Sequence, residues 1–308
     1  MMKVTFWGVR GSIPCPGPTT VGYGGNTACL ELRFGEEERL VIIDAGSGMR
    51  ALGNYMMQHD LPKGPIETSI FITHTHWDHI MGFPFFTPIY IPGTKLTVYG
   101  PVTYENERLD RIIGDQLTYR YFPVKHSELA ADIEYVPLKE STTIELGDGI
   151  QVTTKYLNHP ILCLGYRFEY RGRVFCTAYD TEPFRNVFPT DPDDPGYDSV
   201  AAEEGELAAK EENEKVLRFF RGANLVIHDA QYTHDEYLES KLGWGHSSFE
   251  YVVNSAHKSE VDRVAMFHHD PMRNDKQLDA IEDQLANRIA GKTDTEVIIA
   301  REGETIEV

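Results

Sequence analysis

Residues 72–82 read ITHTHWDHIMG and close the apolar run IETSIFI at 66–72. No other stretch constrains the fold as strongly. In an extended segment His74 and His76 project to one side while Thr75 points away, because strand side chains alternate with a period of two. Asp78 and His79 follow where the chain turns into a helix, so four ligand-capable groups can meet in one small volume. A single histidine beside an apolar run is ordinarily a hydrogen-bonded structural residue. A fixed HxHxDH pattern, by contrast, arises by chance with a probability on the order of one in a thousand, which makes metal binding the stronger reading. Imidazole with carboxylate suits Zn, Mn, Fe or Ni, whereas Ca and Mg favour all-oxygen shells.

A strand that ends in such a loop belongs to a sheet whose edge carries chemistry. The runs VTFWG (4–8), ACLELRF (28–34), RLVIIDAG (39–46) and SIFIT (69–73) predict strands, the last two covered on both faces. Residues 46–59, with Met49, Leu52 and Met56 at helical spacing, predict a helix between them. KLTVYG (95–100), GIQVTTKYL (149–157), ILCLGYRFEY (161–170) and RVFCTAYD (173–180) predict more strands, with a hairpin turning at Arg171-Gly172. The Pro-rich, acidic stretch after Asp180 reads as a solvated face rather than a lid, and becomes helical toward VLRFF. NLVIHDA (224–230), a helix from SSFEYVVNSAHK, VDRVAMFHH (261–269), a long helix after Asn274 and TEVIIARE complete the alternation. In the long helix Leu278, Ile281, Leu285 and Ile289 form a core stripe, with Asn274 and Gln277 spaced as a capping box. No repeat of 20 to 50 residues is present. The expected architecture is α/β, one domain over 1–308, whose two strand-rich halves can form two sheets of one sandwich.

Charge narrows the partners. A net charge of −19 repels polyphosphates at long range, which weighs against DNA or RNA held on a basic face. A compact substrate, or a site with its own positive charge, fits better. The opening MMKVTFWGVRG has no apolar leader and nowhere do eighteen apolar residues follow one another, so a cytoplasmic protein without a membrane span is expected. Cys15, Cys29, Cys163 and Cys176 lack CxxC spacing and read as reduced, mostly packed thiols.

Two metals need more ligands than HxHxDH offers. His159, Asp180, His228, His246 and the pair His268-His269 each stand at or just past a strand end, where an α/β scaffold presents functional groups. HTHWDH followed by LNHP, AYDT and FHHDP resembles the metallo-β-lactamase superfamily, and the opening WGVRGSIPCPGPTTVGYGGNTACLEL resembles its phosphodiesterase branch, which includes ribonuclease Z and the cyclic phosphodiesterase of phosphonate breakdown. The likeness covers nearly the whole chain and is weakest near 102–135 and 183–215, where insertions are expected. It implies a four-layer αββα sandwich with a dinuclear metal site at the sheet edges. It implies His74, His76 and His159 on one ion, Asp78, His79 and His268 on the other, and Asp180 bridging both, with zinc the expected metal and Mn or Fe the alternatives. His268 is chosen over His269 because it closes the strand VAMFH. The segment GHSSFEYV resembles a ribonuclease Z motif, which implies His246 as the proton donor to a leaving oxygen, the alternative being a structural role at the helix start. Asp44 and His228, the latter with Asp229, are expected to support the ligands from behind. Arg10 is a candidate substrate contact, and Trp77 is expected to pack as a core aromatic, the alternative being that it covers the metal pocket.

The function implied is metal-dependent hydrolysis of a phosphodiester, with Asp78 and His246 as the catalytic side chains. The acidity favours a small substrate such as a cyclic nucleotide or cyclic phosphate. Ribonuclease Z-like processing of RNA 3′ ends is the first alternative, with Arg108, Arg111, Arg120 and Lys125 as the only stand-in for a basic substrate arm. A non-hydrolytic di-iron sensor or redox protein on the same fold is the second. Relatives are commonly dimers, so a homodimer is compatible with the resemblance.

Overall fold

The computed structural model describes residues 1–36, 38–103 and 107–308. Strand burial follows the sequence pattern. β1 (Met2–Gly8) alternates buried and partly exposed residues along its length and so presents one face to the core. β2 (Cys29–Phe34), β3 (Arg39–Ile43) and β4 (Glu67–Phe71) are buried on both faces over most of their length, β2 and β4 with polar residues among the buried ones. They join β5 (Lys95–Pro101), β6 (Asp132–Leu138) and the C-terminal β14 (Thr305–Glu307) in a seven-stranded sheet of order β14-β1-β2-β3-β4-β5-β6.

The second sheet also has seven strands. β7 (Thr143–Gly147), β8 (Ile150–Leu157), β9 (Cys163–Tyr170) and β10 (Arg173–Ala178) form an antiparallel meander. β11 (Leu225–Asp229), β12 (Arg263–Phe267) and β13 (Glu296–Ile299) then pair in parallel beyond β10. The β9–β10 turn places Arg171 at φ 48° and Gly172 at φ 76°, the positive pair that a tight two-residue hairpin loop needs.

Three cores stack through the molecule. Val4, Phe6, Leu32, Val41 and Phe71 of the first sheet meet Tyr166, Phe168, Phe175, Ile227 and Phe267 of the second in the central layer. Outside the first sheet lie α1 (Met49–His59), the one-turn α2 (Trp77–Ile80) and α3 (Leu109–Gly114), with Met49, Leu52, Met56 and Ile113 turned onto the sheet. Outside the second lie α4 (Ser199–Phe220), the short α5 (His234–Glu236), α6 (Phe249–Lys258) and α7 (Asp275–Ile289). Asn274 caps α7 with the reciprocal Gln277 contact, and Leu278, Ile281 and Leu285 are buried beneath it. The four-layer αββα sandwich is therefore present. Each fully buried large apolar side chain in these layers contributes about 1.5–3 kcal/mol relative to exposure.

Several elements were not anticipated. β6, β7, β14 and α3 lack a clean apolar period in the sequence and gain their order from neighbours already in place. Within the insertion expected near 102–135, residues 104–106 lie outside the described residues, and 107–131 carry α3 and a 3₁₀ turn before β6. Helix α4 begins at Ser199, earlier than the VLRFF segment suggested, because Asp198 accepts the backbone N–H groups of Val200 and Ala201. Among the described residues no helix is long and apolar enough to cross a membrane. Cys29, Cys163 and Cys176 are buried free thiols, and Cys15 is partly exposed.

Candidate metal centre

Both sheets send carboxyl ends of strands to one edge, and the candidate residues ride on those ends. β4 runs into the loop that carries His74 and His76, and α2 begins at once with Asp78 and His79 in its first turn. β8 delivers His159, β10 delivers Asp180 and β12 delivers His268. Three overlapping groups result among the described residues: His74, His76, His159 and Asp180; Asp78, His79, Asp180 and His268; and Asp229, His246 and His268, each with one ligand atom per residue within 4.8 Å of the rest.

Asp180 belongs to the first two groups through different oxygens. Oδ2 lies 3.4 Å from His74 Nε2 and 3.8 Å from His159 Nε2, while Oδ1 lies 3.2 Å from both His79 Nε2 and His268 Nε2. Asp78 Oδ2 stands 3.3 Å from His79 Nε2 and 3.1 Å from His268 Nε2. Ring nitrogens face one another across each half, His76 Nδ1 to His159 Nε2 at 3.0 Å and His79 Nε2 to His268 Nε2 at 3.1 Å. Among the described residues, His74 Nε2 and Asp180 Oδ1 are buried with no hydrogen-bond partner. Buried polar atoms without partners are rare, and clustered imidazole nitrogens and carboxylate oxygens are a donor set that could hold divalent metal.

The electrostatics agree with that reading. Burial drives the His74 imidazole well below its usual range and takes His159 down to about 4, leaving both neutral and able to donate a lone pair. Burial opposes charge on His79 as well, but the carboxylates of Asp180, Asp78 and Asp44 outweigh it and hold this ring well above the ordinary value. Asp180 loses its proton easily despite full burial, because His268, His79 and His74 surround it. Three carboxylates packed against these rings thus call for positive charge at this point.

A supporting layer fixes the rings. Asp44 sits at the end of β3 with φ 59°, and its Oδ2 accepts His79 Nδ1–H at 2.7 Å. The same carboxylate takes the Thr73 N–H at 2.7 Å and its hydroxyl at 2.8 Å, so the turn before His74 and the orientation of His79 share one anchor. His159 Nδ1–H donates to the Gly245 carbonyl at 3.0 Å. A Cβ at Gly245 would overlap that ring, and one at Gly11 would overlap His268. The GVRGS glycine therefore serves close backbone approach, and the next residue, Ser12, donates its N–H to Asp78 Oδ2 at 2.7 Å. Ser12, Asp44 and His268 all have positive φ, a conformation that non-glycine residues adopt at some cost and that clusters at functional sites. At His268 this turn redirects a side chain that strand alternation would otherwise send to the outer layer.

His246 stands beside the second group, its ring 5.1 Å from that of His268 and nearly parallel to it. Its Nδ1–H donates to Asp229 Oδ2 at 3.0 Å. Burial disfavours its charge, but Asp229 prevails and raises it to about 9. Asp229 Oδ2 also takes the N–H groups of Thr181 and Ser247, which ties the loop after Asp180 to the loop carrying His246. Ser248 caps α6 by accepting the Tyr251 N–H, so the helix start is already served without His246.

Three expectations are corrected. His228 was expected behind the ligands, but it lies between Phe220 and Tyr251 in the outer layer, with Nδ1 on the Asp229 carbonyl. Strand alternation explains this: Asp229, one residue on, faces the site and supplies the support. Arg10 is fully buried and binds the carbonyls of Gly24, Arg273 and Asp270, so it holds three loops together rather than touching substrate. Trp77 is 68% exposed and not a core aromatic. His269, also buried, bonds the Ala300 carbonyl at 2.9 Å away from these groups, while its neighbour His268 reaches Asp78.

Comparisons with known proteins give a consistent result. The family model described as a β-lactamase superfamily domain matches residues 39–190. A ribonuclease Z of Lactococcus lactis subsp. lactis is 27% identical over 277 residues, covering 79% of this chain and 83% of its own. The metallo-β-lactamase fold protein YhfI of Bacillus subtilis superposes with a TM-score of 0.64 at 17% identity, over 100% of both chains. A diphosphatase described as new in the PhnP family superposes with a TM-score of 0.58 at 16% identity, over 100% of this chain and 98% of that one.

Proposed function

We propose, from the premise that the chain belongs to the phosphodiesterase branch of the metallo-β-lactamase superfamily and is a metal-dependent hydrolase, that it cleaves a small phosphodiester such as a cyclic nucleotide or cyclic phosphate. His74, His76 and His159 would hold one divalent ion and Asp78, His79 and His268 the other, with Asp180 shared. The observation that carries this reading is the split carboxylate of Asp180, whose two oxygens address two separate sets of imidazoles. Zinc suits such a mixed nitrogen and oxygen set, with Mn or Fe also compatible. When bound, two dications supply Lewis acidity at the phosphoryl oxygens and acidify a water.

The protein's own groups do the rest. Asp44 keeps the His79 proton on Nδ1, so that Nε2 faces inward. Asp78, steadied by the Ser12 N–H, accepts a hydrogen bond from the attacking water and aligns it. Asp229 keeps a proton on His246 and leaves Nε2 to deliver one to the departing alkoxide. Arg10 and Arg273 are occupied structurally, so no basic side chain is spent on the scissile group from that direction.

A net charge of −19 supports a compact substrate over a long polyanion. Arg108, part of the suspected arm, is paired with Asp110 on the surface, which reduces its use for RNA. The sequence likeness to ribonuclease Z favours RNA 3′-end processing as the second reading. A screen of cyclic mono- and dinucleotides, cyclic phosphates and precursor tRNA against metal-loaded protein separates them. Turnover of RNA alone would replace the small-substrate reading, and no turnover of any diester with two ions per chain would remove hydrolysis of phosphodiesters.

A further inference from the structure

Tyr232 is a buried polar residue that the chemistry above leaves unused. It lies just past the end of β11 and is 3% exposed. Its backbone is stapled to the segment that carries His246. A single β-bridge pairs it with Ser248, its N–H donates to the Ser247 carbonyl at 3.3 Å, and its carbonyl accepts the Phe249 N–H at 2.9 Å. The ring meets His246 edge-on, with centroids 6.1 Å apart. Against its face lies the Lys241 ammonium, 5.4 Å from this centroid and 3.9 Å from the Trp244 ring. Backbone, imidazole and cation together fix the phenol beside His246.

The hydroxyl is idle by contrast. Among the described residues it makes no hydrogen bond, although the residue is almost wholly inside the protein. A buried tyrosine usually finds a partner for its O–H, so this free donor asks for one from outside the chain. Its neighbours say where that partner would sit. His246 stands 5.1 Å from the ring of His268 and 5.5 Å from that of His159, which ties Tyr232 by ring contacts to both ion-binding groups. Burial, and then the carboxylates of Asp229, Asp270 and Asp180, hold the phenol above its ordinary range, so it stays protonated and able to donate. A neutral donor also adds no charge to repel two dications.

We propose that Tyr232 is a substrate-binding residue whose hydroxyl donates a hydrogen bond to a non-bridging oxygen of the scissile phosphate, beside the point where His246 protonates the departing alkoxide. The proposal rests on the phosphodiesterase reading for the reaction but not for the capture of a phosphate oxygen. Tyr232→Phe removes the donor and keeps the ring. Because the hydroxyl has no partner within the protein, the variant should keep the wild-type melting temperature and ion content.

Two measurements on the full, zinc-loaded chain test the assignment. In the first, a cyclic nucleotide and its two phosphorothioate diastereomers are compared as substrates. Tyr232→Phe should lower kcat/KM for the oxygen diester by roughly 10- to 150-fold, the worth of one hydrogen bond to a charged oxygen. Sulfur accepts hydrogen bonds weakly, so the gap between the diastereomers should narrow by a similar factor in the variant, which a merely structural tyrosine would not produce. In the second, inorganic phosphate is titrated by calorimetry, and its affinity should fall over the same range.

Weaker phosphate binding in Tyr232→Phe with no hydrolysis of any diester by the wild type would overturn the phosphodiesterase reading and leave the Tyr232 contact standing. Hydrolysis with the same rate and the same diastereomer gap in wild type and variant would overturn the contact and leave the reaction standing. Neither phosphate binding nor hydrolysis in the wild type would overturn both.

Discussion

Substituting Asp44 by asparagine tests the logic of the centre with little change in shape. Asparagine tolerates a φ near 59° better than most residues, whereas alanine would add about 1–2 kcal/mol of left-handed strain and blur the result. The amide oxygen can still accept the Thr73 N–H, now made at 2.7 Å, and the Thr73 hydroxyl can turn to accept from the amide nitrogen. His79 has no such choice. Its Nδ1–H, which donates to Oδ2 at 2.7 Å, would face an N–H group, so the ring must move its proton to Nε2 and aim it at Asp78, Asp180 and His268. Ion affinity at the Asp78, His79 and His268 half should therefore fall by about 10- to 100-fold, or roughly 1.4–2.7 kcal/mol. The half built on His74, His76 and His159 should keep its ion. Elemental analysis after dialysis against a graded chelator reads this as a drop from two equivalents toward one, with wild-type circular dichroism as the folding control. Retention of two ions at wild-type affinity would refute both the tautomer argument and the division of ligands.

Other outcomes follow from the same geometry. His246→Ala should slow cleavage of a diester with an alkoxide leaving group by about 10²- to 10⁴-fold, and a nitrophenyl diester far less, since that anion leaves without a proton. In the wild type, activity should fall as pH rises through the His246 value, at or below about 9 because bound cations oppose its charge, and this limb should vanish in the variant. Equal losses on both leaving groups would speak against proton donation. Gly245→Ala adds a Cβ that overlaps His159 at φ 81°, so the His74 half should lose its ion first; a full complement of metal in this variant would contradict the packing. A thiol reagent at pH 8 should label Cys15 alone in native protein, because burial pushes Cys29 and Cys163 far up and Cys176 to about 12. Labelling of more than one thiol before unfolding would show the outer layers to be looser than described.

Much of the scaffold was readable because burial and periodicity agree locally. β3 and the end of β4 carry short apolar runs that lie inside; α7 had both its stripe and its cap. The loop from His74 to His79 was legible for a similar reason, since all four groups lie within six residues. Their distant companions needed the resemblance as well as the strand ends. Failures came where a side chain's direction depends on another segment. His228 and Asp229 are adjacent, and only the pairing of β11 with β10 and β12 decides which one faces the edge. Arg10 looked free in sequence, but its partners lie up to 263 residues away. Trp77 follows a buried strand, and nothing local says that the one-turn helix α2 leaves its ring outside. The backbone of His268 at φ 61° likewise has no signature in FHHDP.

Each of the two four-residue groups also draws on both sheets: His74 and His76 from the first with His159 and Asp180 from the second, then Asp78 and His79 with Asp180 and His268. Ions held there would be rivets through the open end of the sandwich, while the aromatic layer closes the middle. Chelation should leave that middle intact and let the two layers part at one rim. Amide exchange should quicken in residues 73–79, 159–160 and 268–270 and stay slow in β3 and β11. The groups that would hold the catalytic charge would then also form the seam between the two sheets at this rim.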